Sequence, residues 1–83
     1  MDGHVIFKHP KTNKSIIRTR SGKYSVIAVP ENISLRTGDL ISGKLDASGQ
    51  VKIVNLTQRI MFSGYIHLAQ SDIASRAKEK ASA

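Results

Sequence analysis

The sequence predicts an all-β domain: a small five-stranded β-barrel followed by a short C-terminal α-helix. Three observations predict it. Five short runs rich in Val, Ile, Thr and Tyr are separated by glycine, proline and asparagine at close spacing. Two pairs of these runs are joined by hairpin chemistry, Ser21-Gly22 in one case and Asp46-Ala47-Ser48-Gly49 in the other. A helical pattern emerges only after Ser71.

The first strand covers residues 3–8 and stops at His9-Pro10, because proline cannot donate to a ladder. Residues 11–14 make a polar turn in which Asn13 tolerates left-handed backbone. Residues 14–29 form the central hairpin. With Ser21 and Gly22 as its loop, Arg20 lies opposite Lys23, Thr19 opposite Tyr24 and Ile17 opposite Val26. One face then carries Ile17, Thr19, Tyr24, Val26 and Ala28. The other carries Ile16, Ile27 and Val29 at its base and Arg18, Arg20 and Lys23 at its tip. Two like charges directly opposite each other destabilise a sheet unless an anion sits between them, and a one-residue slip reverses every face.

Pro30 ends the third strand, and residues 31–38 form a connection anchored by Ile33 and Leu35. The fourth strand spans residues 39–45, with Gly43 marking a bend. The fifth spans residues 50–57, where the adjacent apolar pair Ile53-Val54 predicts a bulge. Residues 58–68 are apolar enough to pack on the sheet, and strand and turn both remain open for them. In the closing segment Ser71 is the expected N-cap and Asp72 lies in the first turn. Ile73, Ala74 and Ala77 share one face, Arg76, Lys78 and Lys80 come late, and residues 81–83 are expected to fray. The expected division is a barrel over residues 1–57 and, over 58–83, an apolar connector and helix that pack on the barrel or extend from it.

At 83 residues and 40% hydrophobic content the chain makes one small domain that can fold alone. The absence of cysteine excludes disulfides and thiolate metal sites and fits a reducing compartment. There is no apolar run of membrane-spanning length and no basic-then-apolar leader pattern, so the expectation is a cytoplasmic protein with no membrane partner. The formal charge of +7 and a pI near 10.2 point to a polyanionic partner, nucleic acid first. The charge is one-sided: before Val29, Lys8, Lys11, Lys14, Arg18, Arg20 and Lys23 are opposed only by Asp2.

The order strand, hairpin, connection, hairpin resembles the OB-fold, in particular cold-shock proteins, S1 domains and translation initiation factor one. The resemblance is carried by Gly3-His4-Val5-Ile6, by Tyr24-Ser25-Val26-Ile27-Ala28-Val29, and by Arg36-Thr37-Gly38-Asp39-Leu40-Ile41-Ser42-Gly43-Lys44-Leu45 leading into Gly49-Gln50-Val51-Lys52-Ile53. An SH3-like barrel would carry the same pattern and stays open as the alternative. The resemblance implies an OB-like barrel that prefers single-stranded RNA or DNA. One departure bears on specificity. Cold-shock proteins carry base-stacking aromatic residues on strands two and three, whereas here residues 16–20 hold none and Tyr24 alone represents the third strand. Phosphate contacts should then dominate, with low sequence specificity and strong salt dependence.

The candidate nucleic-acid-binding residues are Lys8, Lys11, Lys14, Arg18, Arg20, Lys23 and Tyr24, expected to form one continuous surface. Arginine forks favour bidentate phosphate contacts. The competing explanation for the cations is protection of sheet edges, and for Tyr24 it is cross-strand packing with Thr19 or Ile17. Phe7, Phe62 and Tyr65 read as core or subunit-contact residues. His4, His9 and His67 lack metal-ligand spacing, and no cofactor is expected. Asp39 and Asp46 suit a strand start and a turn for backbone reasons. The sequence holds no nucleophile motif, phosphate-cradling glycine loop or paired carboxylates, so the expectation is a protein that is not an enzyme. A second reading starts from Ile60, Met61, Phe62, Tyr65, Ile66 and Leu68, a concentrated apolar stretch. It caps the barrel or serves as a patch for a homodimer or a larger protein partner, making the chain an interaction module or adaptor.

Overall fold

Antiparallel pairing runs all the way round the sheet. The computed structural model describes residues 1–71 and 74–82. Its strands are β1 (Asp2–Lys8), β2 (Lys14–Thr19), β3 (Tyr24–Ala28), β4 (Leu40–Gly43), β5 (Gly49–Asn55) and β6 (Ile60–Ser71), followed by helix α1 (Ala74–Ser82). They close into a barrel in the order β1-β2-β3-β6-β5-β4, with β4 returning to β1. The all-β barrel and short terminal helix agree with the sequence reading, but the strands number six rather than five. The stretch left open between strand and turn is the sixth. β6 is twelve residues long and pairs with β3 on one side and β5 on the other. The barrel wall therefore continues to Ser71 instead of ending at Thr57. Without β6, β3 and β5 would both present unpaired backbone edges.

The central hairpin differs from the expected register by one residue. Arg18 pairs with Tyr24, Ile17 with Ser25 and Ile16 with Val26. The loop has three residues, not two. Gly22 N–H donates to the Thr19 carbonyl at 2.9 Å, Thr19 N–H donates to the Lys23 carbonyl at 2.8 Å, and Gly22 sits at φ 83°, where a side chain would be strained. Arg20 and Lys23 are consequently not opposite each other. The predicted faces also change. Ser15, Ile17, Thr19, Ser25 and Ile27 point into the barrel, and Ile16, Arg18, Tyr24 and Val26 point out.

Two apolar clusters result. The interior is filled by Val5, Ile17, Ile27, Val29, Leu35, Ile41, Leu45, Ile53, Phe62 and Ile66. A smaller cluster lies outside the wall, where Ala77 and Ala81 of α1 cover Ile16 and Val26, flanked by Phe7, Tyr24 and Leu68. Alanine is what permits this close approach of helix to sheet. Irregularities in the pairing feed the outer cluster. A register shift between Val5 and Phe7 turns Val5 inward and Phe7 outward, and shifts in the β3–β6 ladder bring Leu68 outward opposite Val26. The bulge expected at Ile53-Val54 is absent: β5 pairs in unbroken register with β6, Ile53 inward and Val54 on the outer face. Ala81, expected to fray, is fully buried, and its carbonyl accepts a bond from Thr12 Oγ1 at 3.0 Å. Ser71, expected as an N-cap, instead ends β6 opposite Tyr24. Asp72 and Ile73 lie outside the described residues.

Gly43, expected to mark a bend, is a point of close approach between neighbouring strands. A Cβ there would lie 2.8 Å from Ile53 Cδ1 and 2.9 Å from the Lys52 carbonyl oxygen, so β4 can lie this close to its antiparallel partner β5 only with no side chain at this position. The long β3–β4 connection is held by Asp39. One carboxylate oxygen accepts from Gln58 Nε2 at 2.7 Å, Asn55 Nδ2 at 2.8 Å and the Arg36 N–H at 3.0 Å. Gln58 also donates to the Ser34 carbonyl at 2.9 Å, tying the connection to the β5–β6 turn. Asp39 thus does more than start a strand.

Burial alone would push Asp39 up. The bonds from Asn55, Gln58 and Arg36, with the nearby Arg36 charge, outweigh it and hold the carboxyl below its ordinary value. A carboxyl lowered on folding stabilises the protein fully above its unfolded pKa of about 3.9, and the contribution disappears as pH falls through the folded value. Urea midpoints should therefore be insensitive to Asp39 ionisation at neutral pH and fall in the acid range. Asp39→Asn should flatten that acid limb and lower stability at pH 7 by about 1–3 kcal/mol, the cost of leaving buried donors poorly matched.

Candidate nucleic-acid interface

Strand alternation and the observed register set one row of side chains across the outside of four strands. Leu40 of β4 pairs with His4 of β1, His4 with Arg18 of β2, and Arg18 with Tyr24 of β3. Above the row lies the β2–β3 turn with Arg20, whose side chain is 86% exposed and reaches Asp2 at 3.8 Å. So exposed and long an ion pair holds the guanidinium only weakly and leaves it available to a stronger anion. Ile6, 42% exposed, adds an apolar floor. Together Asp2, His4, Ile6, Arg18, Arg20 and Leu40 border a groove of about 350 Å³. It combines two guanidinium forks, an imidazole and two aliphatic side chains with the Asp2 carboxylate, which a phosphate would displace from Arg20 while a neighbouring base meets the aliphatic side chains.

The seven predicted residues do not form one continuous surface. The β1–β2 and β2–β3 turns lie at opposite ends of β2, because consecutive antiparallel hairpins alternate ends. Arg18, Arg20 and half-buried Lys23 gather at one end, beside Tyr24. Lys8, Lys11 and Lys14 gather at the other, with Lys14 about 13 Å of strand away from Arg18. Lys8 Nζ donates to Ser34 Oγ at 3.0 Å, Lys11 is exposed in its turn, and Lys14 is half-buried at the start of β2. The β2 surface between the groups is Ile16, sealed by α1. That helix contributes exposed Arg76, Glu79 and Lys80, so its outer side is net positive but not uniformly so. Tyr24 is half-buried against the outer cluster, with Arg18 as its cross-strand partner rather than Thr19 or Ile17.

The six-residue apolar patch is divided by the same alternation. Phe62 and Ile66 belong to the interior, Leu68 lies against the outer cluster and Ile60 is half-buried. Only Met61, 64% exposed, and Tyr65, 49% exposed, stand on the surface. Tyr65 packs on His67 with ring centroids 4.8 Å apart and planes tilted by 53°. Partial burial, and then the charges of Lys14 and Lys80, hold the His67 imidazole below the usual histidine range. His9 accepts a bond at Nδ1 from the Lys11 N–H at 3.1 Å and meets Phe7 edge-on.

Among the described residues no three of His, Cys, Asp and Glu gather closely enough to hold a metal ion, and no helix is long and apolar enough to cross a membrane. The sequence reading missed His4, Ile6 and Leu40 as groove residues, although alternation along residues 3–8 already sets His4 and Ile6 on one face. It also missed the pairing of His67 with Tyr65. Compared with known proteins, the chain matches no family model, no curated protein and no solved structure.

The position of His67 can be checked by imidazole NMR. Its midpoint should fall below the ordinary value of about 6.5. Lys14→Met should raise it, because removing a neighbouring cation favours the protonated ring, while the part due to burial persists.

Proposed function

We propose that this chain is a non-enzymatic nucleic-acid-binding protein that holds single-stranded RNA or DNA mainly through its phosphates and with low sequence specificity. The observation that carries the reading is the cross-strand row Leu40–His4–Arg18–Tyr24, roofed by the exposed Arg20 guanidinium and opening on the groove beside Ile6. The charge of +7 supports it, since a polyanion gains from the field of the whole domain as well as from the forks it touches. The barrel is read here as OB-like, with β6 as an added strand. OB domains bind oligonucleotides on the outer face of strands two and three, where Arg18 and Tyr24 stand. Single strands are favoured because an unpaired base can lay its face against Ile6 or Tyr24, which a base inside a duplex cannot do.

Fluorescence anisotropy of labelled single-stranded RNA, single-stranded DNA and duplex DNA across a salt series tests the reading. Single strands should bind more tightly than duplex, and affinity should fall steeply with salt. In Arg18→Glu/Arg20→Glu the slope of log K against log salt should drop by about 1.4 or more, the equivalent of two single-strand phosphate contacts. Failure of all three ligands to bind at low salt overturns the reading.

A second reading is favoured by Met61 on β6 and by Leu56, 46% exposed in the β5–β6 turn. Large apolar side chains standing free on a small domain suit a homodimer or a protein partner. Under this reading the sedimentation mass rises with concentration and returns to the monomer value in Met61→Ser, with nucleic-acid affinity unchanged.

A further inference from the structure

The outer face of β6 carries an aromatic pair that the groove does not use. Tyr65 sits in a second cross-strand row, Gln50–Tyr65–Ala28–Lys14, running over β5, β6, β3 and β2. On one side its neighbour is Ala28, too small to cover the ring, and half of Tyr65 stays exposed. His67 packs on the ring at 4.8 Å and limits its freedom to turn. Cations surround the pair: Lys14 ends the row, Lys52 is exposed one row along opposite Ser63, and Lys80 of α1 lies close enough to His67 to act on its charge. These two rows contain no carboxylate.

We infer that Tyr65, oriented by His67 and flanked by Lys14, Lys52 and Lys80, is a stacking platform for one unpaired nucleobase, separate from the groove of β1 and β2. This rests on the nucleic-acid reading and deepens it. A preoriented aromatic face contributes stacking without a large entropic cost of ordering, and the surrounding ammonium groups meet the phosphates on either side of the stacked base. The charge argues against a second copy of this chain as the occupant, since two such faces would set lysines against lysines. Both sites flank α1, whose exposed Arg76, Glu79 and Lys80 leave a net positive surface across the space between them. A single strand engaged at the groove thus meets cations along its way to Tyr65.

The chain holds two tyrosines and no tryptophan, so in Tyr24→Phe all tyrosine emission comes from Tyr65. Titrating this variant with unlabelled oligo(dT) should quench the emission saturably. An abasic sugar-phosphate of equal length should bind through its phosphates and leave the emission nearly unchanged. By anisotropy, adding Tyr65→Ala should weaken oligo(dT) binding roughly 5- to 150-fold, the worth of one stacked base, with little effect on the abasic ligand, and Tyr65→Phe should restore it. Salt-sensitive binding that depends on Arg18 and Arg20 but is indifferent to Tyr65→Ala, with no quenching, overturns the platform and leaves the proposed function standing. Absence of binding by either ligand overturns both. A concentration-dependent mass that Tyr65→Ala abolishes, without quenching by oligo(dT), assigns the face to self-association and also overturns the platform.

Discussion

β1 hydrogen-bonds to β2 along one side and to β4 along the other, and β6 does the same between β3 and β5. These two doubly engaged strands turn a pair of three-stranded meanders into a closed wall. Closure matters because a short sheet with open edges exposes rows of unpaired backbone groups, and a domain of this size has little apolar area with which to offset them. It also requires the wall to curve tightly. The clearance between Gly43 and the Lys52 carbonyl shows where a side chain would prevent that. With the wall closed, ten apolar side chains share one interior, and the buried polar groups are absorbed locally, as when Ser25 Oγ donates to the Leu45 carbonyl at 2.9 Å. Among the described residues no buried side-chain nitrogen or oxygen lacks a hydrogen-bond partner.

Because the interior is complete, the outside of the barrel is free to differ from place to place. Over part of β2, β3 and β6 the surface is apolar and α1 covers it with alanines, a thin layer that keeps the helix close to the wall. On either side of the helix lie the two surfaces proposed for binding: the arginine groove on β1 and β2, and the tyrosine-histidine pair on β6. The helix is thus a packing element underneath and a bearer of positive charge above. Its last turn is fixed by Thr12, which ties the first loop of the barrel to α1 at the Ala81 carbonyl.

The two surfaces proposed for recognition differ in physical character. In the groove, the Arg20 guanidinium stands at a turn in nearly full contact with solvent, so the attraction proposed for a phosphate there would be screened by salt and poor in sequence information. At Tyr65 the geometry is fixed by a neighbouring ring, and the interaction on offer is short-ranged and depends on a base being present. A ligand bridging them would be held by charge and read only for being single-stranded.

Much of this was legible in the sequence, and the remainder was hidden for identifiable reasons. β-branched runs, proline stops and turn glycines fix local backbone preferences, so the first five strands, the two hairpins and the terminal helix could be read directly, together with the one-sided charge. Register could not. Ser21-Gly22 is compatible with a two- or a three-residue loop, and the choice fell to the packing of Ile17 and Ile27 inside the barrel, which set Arg18 beside Tyr24. The strand at residues 60–71 needed partners on both sides, so no local signal could separate it from a turn. Ala81 looked like a fraying end because alanine brings little burial of its own, and only the surface of Ile16 and Val26 made it core. The cations illustrate the same division. The sequence by itself determined their number and their place near the N-terminus, through residue identity alone. Tertiary structure decided that they separate to opposite ends of β2 and that His4 and Ile6 join them, since neighbours across strands are set by hydrogen-bonded register rather than by distance along the chain.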